Sequence, residues 1–342
     1  ADELIDYPLS SKKYSKNLSN TVSILFDKEH FKLDAGVRHQ LIKLGMGTAL
    51  PDALNIPQER SENRIGAVGN LQIKLWNKVA LNSNLEFSNG REFGSFLRSQ
   101  NLLKFEPIEG YFVNAKVNFQ TASPTFNLLM NPSVYRKFNY NLQNPSNESI
   151  TEIGGDVNLK WFKSSVFANY FRIDNFTYLD ADAQPQQSSS SLNISQIGGE
   201  ATFSYGNFHL NPKVLFQSAI GNKDLLPMPN FIGRANFFWQ SKAFKKAAEI
   251  QAGIKVYYFS KFASREFFPV LNEFILPNAN SYSIGGQPIA DVYFNLKVKR
   301  MFFFIEAQHL NTTFMQNQSF TAPNYPIYDF RLNLGIVWYL FS

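Results

Sequence analysis

Apolar and polar residues alternate with period two along most of the chain, the mark of strands whose two faces meet different surroundings. Val292, Phe294, Leu296 and Val298 oppose Asp291, Tyr293, Asn295, Lys297 and Lys299. Lys299-Arg300 interrupts, and Phe303, Ile305 and Ala307 then resume against Glu306 and Gln308. Earlier, Phe31, Leu33, Ala35 and Val37 oppose Lys32, Asp34, Gly36 and Arg38, and Leu71, Ile73 and Leu75 oppose Asn70, Gln72 and Lys74. Val113, Ala115, Val117 and Phe119 stand against Asn114, Lys116, Asn118 and Gln120, and Val157, Leu159 and Trp161 against Asp156, Asn158 and Lys160. The pattern continues through 208–217 and 248–257. In the last strand, 328–340, Phe330, Leu332, Leu334, Ile336 and Trp338 oppose Asp329, Arg331, Asn333, Gly335 and Val337.

Two kinds of connection separate these segments. Very short ones are "DKEH" (27–30), "WNK" (76–78), "FKSS" (162–165), "YGN" (205–207) and "KR" (299–300). Long polar or Pro-rich ones span 45–63, 121–148, 175–192, 261–280 and 312–326. This strand–turn–strand–loop rhythm predicts an all-β transmembrane antiparallel up-and-down β-barrel of about sixteen strands, with about 14–18 as the range. No stretch of 3.6-residue periodicity is long enough for a substantial helix. The predicted division is an N-terminal segment, 1–20, either periplasmic or a further strand, followed by the barrel, 21–342. Counting back from a periplasmic C-terminus leaves the N-terminus on the wrong side by one strand. Part of 1–20 supplies that strand, the count is off near 121–148, or sequence precedes Ala1.

A soluble sandwich would also alternate, with its apolar face inward. Three features favour lipid. Polar positions carry long side chains of both signs in strand after strand. The strands run to about ten to fourteen residues, enough for a tilted span and longer than the five or six usual in soluble sheets. Aromatics gather near strand ends, as at Trp76, Trp161, 257–259, 302–304 and Trp338-Tyr339, as in interfacial girdles. Only closed strands satisfy the backbone in hydrocarbon, so strands in lipid imply a barrel.

Composition agrees. The chain has 342 residues, 44% of them hydrophobic and only 18% charged, below the usual quarter, yet no apolar run approaches the ~18 residues of a membrane helix. With no cysteine, disulfides and thiolate metal sites are excluded. The net charge of +6 is dispersed, with no basic block to suggest nucleic acid. The chain ends on "RLNLGIVWYLFS", an apolar-aromatic strand like those whose terminal aromatic is read by the barrel-insertion machinery. Its aromatic, Phe341, is penultimate and out of parity with Trp338 and Leu340.

Five stretches carry a family resemblance, in this order: "NFTYLDADAQPQQ" (175–187), "LPMPNF" (226–231), "KAFKKAAEIQAGIKVYYFSKFASREFFPVLNEF" (242–274), "IGGQPIADVYFNLKVKRMFFFIEAQHLN" (284–311) and "YPIYDFRLNLGIVWYLFS" (325–342). Together they resemble the outer-membrane porin family of Bacteroidota. The resemblance implies an outer-membrane barrel of a Gram-negative cell, a channel for passive diffusion of small hydrophilic solutes or ions, and no particular solute. It is also compatible with an absent N-terminal part. The partners implied are outer-membrane lipid and lipopolysaccharide, the insertion machinery, and a further copy or other outer-membrane proteins. Neither cofactor nor metal is implied.

In a channel, the polar side lines the lumen. The candidate lining residues are Lys32, Arg38, Lys74, Arg98, Lys116, Lys160, Lys213, Arg234, Glu249, Lys255, Asp291, Lys297, Glu306 and Arg331. The competing reading is that they ion-pair between neighbouring strands and fill the interior. A constriction is expected from long loops folding inward, 121–148 and 261–280 above all. An enzyme would need a nucleophile or metal constellation. His30, His39, His209 and His309 lack metal-ligand spacing, and His309, in parity with Phe303 and Ile305, gives the one hint of an outward lipase-type histidine. The serines of "QSSSS" read as a solvated loop. Active transporters carry an N-terminal plug and about 22 strands, which this length does not accommodate. A non-conducting barrel that scaffolds a complex remains the alternative.

Overall fold

The alternating segments pair into one antiparallel sheet of sixteen strands. The computed structural model describes residues 12–46, 56–133, 135–278, 280–314 and 319–340. The strands are β1 (Lys13–Lys28), β2 (Phe31–Met46), β3 (Glu59–Leu75), β4 (Val79–Asn89), β5 (Phe96–Ile108), β6 (Tyr111–Ala122), β7 (Glu148–Leu159) and β8 (Ser164–Asp174). Then follow β9 (Leu192–Glu200), β10 (Phe203–Tyr205), β11 (Phe208–Ile220), β12 (Phe231–Ala243), β13 (Ala248–Phe259), β14 (Ile289–Val298), β15 (Met301–Gln308) and β16 (Arg331–Trp338). Each wall strand lies beside its sequence neighbours. Strand β10 continues β9 past Ala201-Thr202, and both pair with β11.

Tight turns gather at one end of the sheet, among them Glu109-Gly110 and Lys299-Arg300, with φ of 80° at Gly110 and 51° at Lys299. That left-handed backbone suits the right-handed twist of the flanking strands. Long connections gather at the other end. The expected N-terminal boundary at residue 20 falls inside β1, where Lys13 to Asn20 pair with Met46 back to His39. Residues 1–11 and Phe341 lie outside the described residues. Segment 123–147 supplies no wall strand among the described residues, but a four-residue helix, a short 3-10 turn at Arg136–Phe138 and two short strands paired with each other.

The expected closed barrel is not complete among the described residues. Taking β9 and β10 as one passage, the chain crosses the sheet fifteen times, so β1 and β16 both run from the long-loop end to the short-turn end. Two edges of like direction form no antiparallel ladder, and these two do not pair.

The apolar face of the sheet is its exposed face. Val22 and Ile24 of β1 are 79% and 80% exposed, and Leu334 and Ile336 of β16 are 67% and 63% exposed. The same holds away from the edges, at Val117, Ile153, Val166, Ile197 and Phe216. On the other face charged residues away from the turns are covered, with Glu86 and Asp291 each 8% exposed. A soluble sheet reverses this. Apolar surface on such a scale is stable only against lipid. Trp76, Trp161, Tyr205, Phe244 and Trp338 project at the short-turn end, forming one interfacial aromatic rim. Phe302 and Phe304, expected in such a girdle, instead sit on the polar face opposite Lys297 and Asn295, while Phe303 faces outward with Leu296. The apolar face is broken at Ser83, Ser99 and Asn101. There Ser83 Oγ lies 2.5 Å from Asn101 Oδ1, and Asn101 Nδ2 donates to Ser99 Oγ at 2.9 Å.

The facing makes a prediction that depends on depth. Phe294, on the apolar face four residues above the turn of β14, lies nearer mid-bilayer than Leu296. Replacing Phe294 by Arg should cost about 2–4 kcal/mol, and replacing Leu296 less. Lys297→Glu should leave folding intact. Urea unfolding in vesicles measures all three, and the reverse order would refute the facing.

Candidate pore lining and outer cap

Strand register places thirteen of the fourteen expected residues on the polar face: Lys32, Arg38, Lys74, Arg98, Lys116, Lys213, Arg234, Glu249, Lys255, Asp291, Lys297, Glu306 and Arg331. Lys160 is the exception. The β7–β8 ladder ends at the Leu159–Ser164 pair, and Lys160 opens the turn with helical dihedrals (φ −59°, ψ −28°). The alternation simply runs one residue past the last rung.

Many of these charges are matched between strands. Glu86 accepts from Arg98 Nη2 at 2.7 Å and from Arg38 Nη1, and Arg38 Nε also reaches Thr21 Oγ1 at 3.0 Å. Lys32 pairs with Asp27 at 2.9 Å, Lys213 with Glu200 at 3.0 Å, and Lys255 with Glu306 at 2.9 Å. Lys116 pairs with Glu152. Asp291 accepts from the His309 amide at 2.8 Å, and Arg331 lies over the Tyr328 ring at 3.4 Å. His309 turns at a left-handed φ of 53°, and its Nδ1 meets the Tyr328 carbonyl at 2.6 Å rather than a serine. Such half-exposed pairs each add about 0–1 kcal/mol; they set the field along the wall more than its stability.

Amides, which the sequence reading passed over, knit the same face. Asn70 donates to Asp34 at 3.3 Å and accepts from Asn84, Asn114 donates to Asp156 at 2.7 Å, and Asn118 donates to Glu152 at 2.7 Å. Gln196 meets Gln217 and Asn295 meets Gln251, each at 3.0 Å. For Asn114, Asn118, Gln251 and Asn295 the signal was present in the alternation itself, since each occupies a polar position between apolar neighbours.

At the long-loop end, connections 123–147, 175–191 and 260–288 form a cap. Short strands Thr177–Leu179, Pro185–Gln187, Glu266–Phe268 and Glu273–Ile275 join into one small sheet. Tyr140, Leu179, Ala183, Leu271 and Ile275 form a buried cluster, with Leu128, Phe138 and Phe268 against it. Two of these loops, 123–147 and 260–288, are the ones expected to fold inward. The cap is tied to strands several places away. Lys13 Nζ donates to Asn127 Oδ1 at 3.2 Å, Asn127 Nδ2 donates to Glu273 Oε1 at 2.6 Å, and Arg60 Nη2 donates to Asn141 Oδ1.

Lys13 lies beyond the apolar band, since its outward neighbours Tyr14 and Lys16 are polar and the first apolar one is Leu18. Burial lowers its pKa to about 8, against the attraction of Glu273. Burial likewise lowers that of Arg265, again opposed by Glu273, and raises that of the Tyr140 hydroxyl. Arg265 stacks over the Phe176 ring at 5.3 Å, beside a cavity of about 500 Å³ in the cap.

A second tie sits at the outer end of β3. The Glu62 carboxylate accepts from Arg64 Nε at 2.7 Å and from the amides of Arg91 and Glu92, the latter at 2.8 Å. Arg64 Nη2 donates to the Gly94 carbonyl at 2.9 Å. Connection 90–95 is thus wrapped around one buried ion pair.

A sheet that turns its apolar face outward, with no helix among the described residues long and apolar enough to cross a membrane, defines a protein that enters the bilayer as strands. The chain belongs to the family described as "Putative porin", whose model matches residues 4–342, and it is an outer-membrane protein of a Gram-negative cell. Comparison with curated proteins finds no match. Among solved structures it is similar to the ferric enterobactin receptor PfeA, known from Pseudomonas aeruginosa (TM-score 0.70, 12% identity, covering 96% of this chain and 54% of that one). It is similar also to the FrpB iron transporter from Neisseria meningitidis (0.67, 13%, 96% and 56%). A third is the siderophore receptor PirA from Acinetobacter baumannii (0.67, 9%, 96% and 55%). At these identities the likeness is one of fold, and the chain spans about half the length of the receptors it matches.

The Glu62 arrangement predicts a change in protease sensitivity. Glu62→Ala removes the acceptor that holds the amides of 91 and 92, so trypsin should cut after Arg91 in the variant and spare the folded wild type. Equal resistance in both would show that the loop is held by other contacts.

Proposed function

We propose that this sheet is the wall of an outer-membrane channel for passive diffusion of small hydrophilic solutes or ions. The observation that carries the reading is the inversion of the two faces, with apolar side chains outward and a lining of amides, both charge signs and a few rings within. A lining whose lysines and arginines are largely matched by carboxylates would pass either sign of ion, with a weak preference for anions from the positive surplus. The cap narrows the outer mouth. Catalysis has no part in this reading, and the solved receptors support transport across the same membrane without assigning a mode or a solute.

The cap also favours a second reading, a barrel sealed at its mouth that serves as a subunit of a larger outer-membrane assembly. Its own apolar cluster and its ties to Lys13 and Arg60 are the observations behind it.

Single-channel recording in a planar bilayer under a salt gradient separates the two. The wild type should give steady ohmic steps with weak anion preference. The Lys13→Ala/Arg60→Ala variant, with the cap released, should give larger steps of the same preference. Silence from folded wild type with conduction only in the variant would favour the sealed form, and silence from both would refute the channel.

A further inference from the structure

On the polar face of β11 to β15 lies a cavity of about 430 Å³, within the range of about 300–1,000 Å³ usual for small-molecule sites. Its lining is rich in rings. Phe238, Tyr293, Phe302 and Phe304 enter it among the amides of Asn211, Asn236, Gln251 and Asn295 and the Lys255–Glu306 pair. They are fixed in place: Phe238 stacks on His209 with centroids 4.8 Å apart, and Phe302 meets Phe304 at 6.2 Å. A Cβ at Gly335 would collide with the outer edge of the Phe304 ring, so that ring reaches over the backbone of β16.

Around the rings stand polar groups already held by one another. The Tyr293 hydroxyl donates to Asn236 Oδ1 at 3.1 Å, and Asn295 Nδ2 donates to Gln251 Oε1 at 3.0 Å. Lys255 is shared between Glu306, at 2.9 Å, and the face of the Tyr293 ring, at 4.8 Å. The ammonium and carboxylate cancel, so the cavity offers no net charge to an ion. Its amides each present a donor and an acceptor side by side, a fit for adjacent hydroxyls. Its rings offer apolar faces to C–H groups.

Deepening the channel reading above, we infer that this cavity is a binding subsite for a neutral polyhydroxylated solute, a saccharide, on its way along the wall. A fatty or aromatic ligand would leave the amides and the ion pair desolvated. A charged one would compete with the Lys255–Glu306 contact and gain nothing from the rings except as a cation.

The test measures binding rather than conduction, so that failure of the subsite and failure of the channel are told apart. Saturation-transfer NMR is run on the full chain in amine-oxide micelles with maltotriose as the probe. Arginine, glutamate and indole serve as controls. Saturable millimolar binding of maltotriose alone is expected, weakened at least five-fold in Phe302→Ala and kept in Phe302→Trp, with heat-modifiable gel mobility as the check on folding. A parallel variant, Lys255→Met/Glu306→Gln, should also weaken binding if Phe302→Ala does not fold. No saturable binding to the folded wild type, binding unchanged by both variants, or a preference for any control would overturn the inference.

Discussion

A peptide group left bare in hydrocarbon costs several kcal/mol, and that penalty governs the rest of this structure. It forces each stretch in the bilayer to be a strand bonded to its neighbours, on both sides everywhere among the described residues except the edges β1 and β16, and it leaves side chains to divide between two media. The hydrophobic effect then acts backwards relative to a soluble sheet. Leu334 and Ile336 are stabilised by being outermost, and Glu86 and Asp291 by being covered. Among the described residues the one named apolar cluster lies outside the wall, in the cap, where water returns and loops must pack in the ordinary way.

The inner face meets a different constraint. Charges there are half-screened by the wall, so they settle against opposite charges or amides from adjacent strands. Arg38, Glu86 and Arg98 bridge β2, β4 and β5, and Lys255 and Glu306 bridge β13 and β15 across Tyr293. This reconciles the two readings of the charged positions: the same residues line the interior and pair across it. Pairing lowers the local field, which is compatible with a wide range of small polar solutes.

Much of this was legible from period two alone. Strands β13, β14 and β16, and the first half of β2, keep the alternation almost throughout, and their facing follows at once. Strand β5 was not legible, because Ser99 and Asn101 interrupt its outer face while Phe96 and Leu102 sit on the inner one. The hydrogen bonds that make those exceptions tolerable run between strands and leave no trace in one segment. Inward aromatics were missed for a related reason. Phe167 sits against Gly198 and Phe304 against Gly335, so each ring occupies space left by a glycine on the next strand, and neither half of the pair signals it alone. The loops expected to fold inward were marked by length, but their partners Lys13 and Arg60 were not. Nor was the contribution of 175–191, whose Leu179 packs beside Ile275 from a separate connection.

The like direction of β1 and β16 has an arithmetical consequence. An antiparallel cylinder must contain an even number of crossings, and the described residues make fifteen. Strands that close the gap by pairing antiparallel with both edges must therefore be odd in number. A hairpin would close it only with one parallel pair. The direction of the two edge strands thus constrains how the wall can close before any side chain is compared.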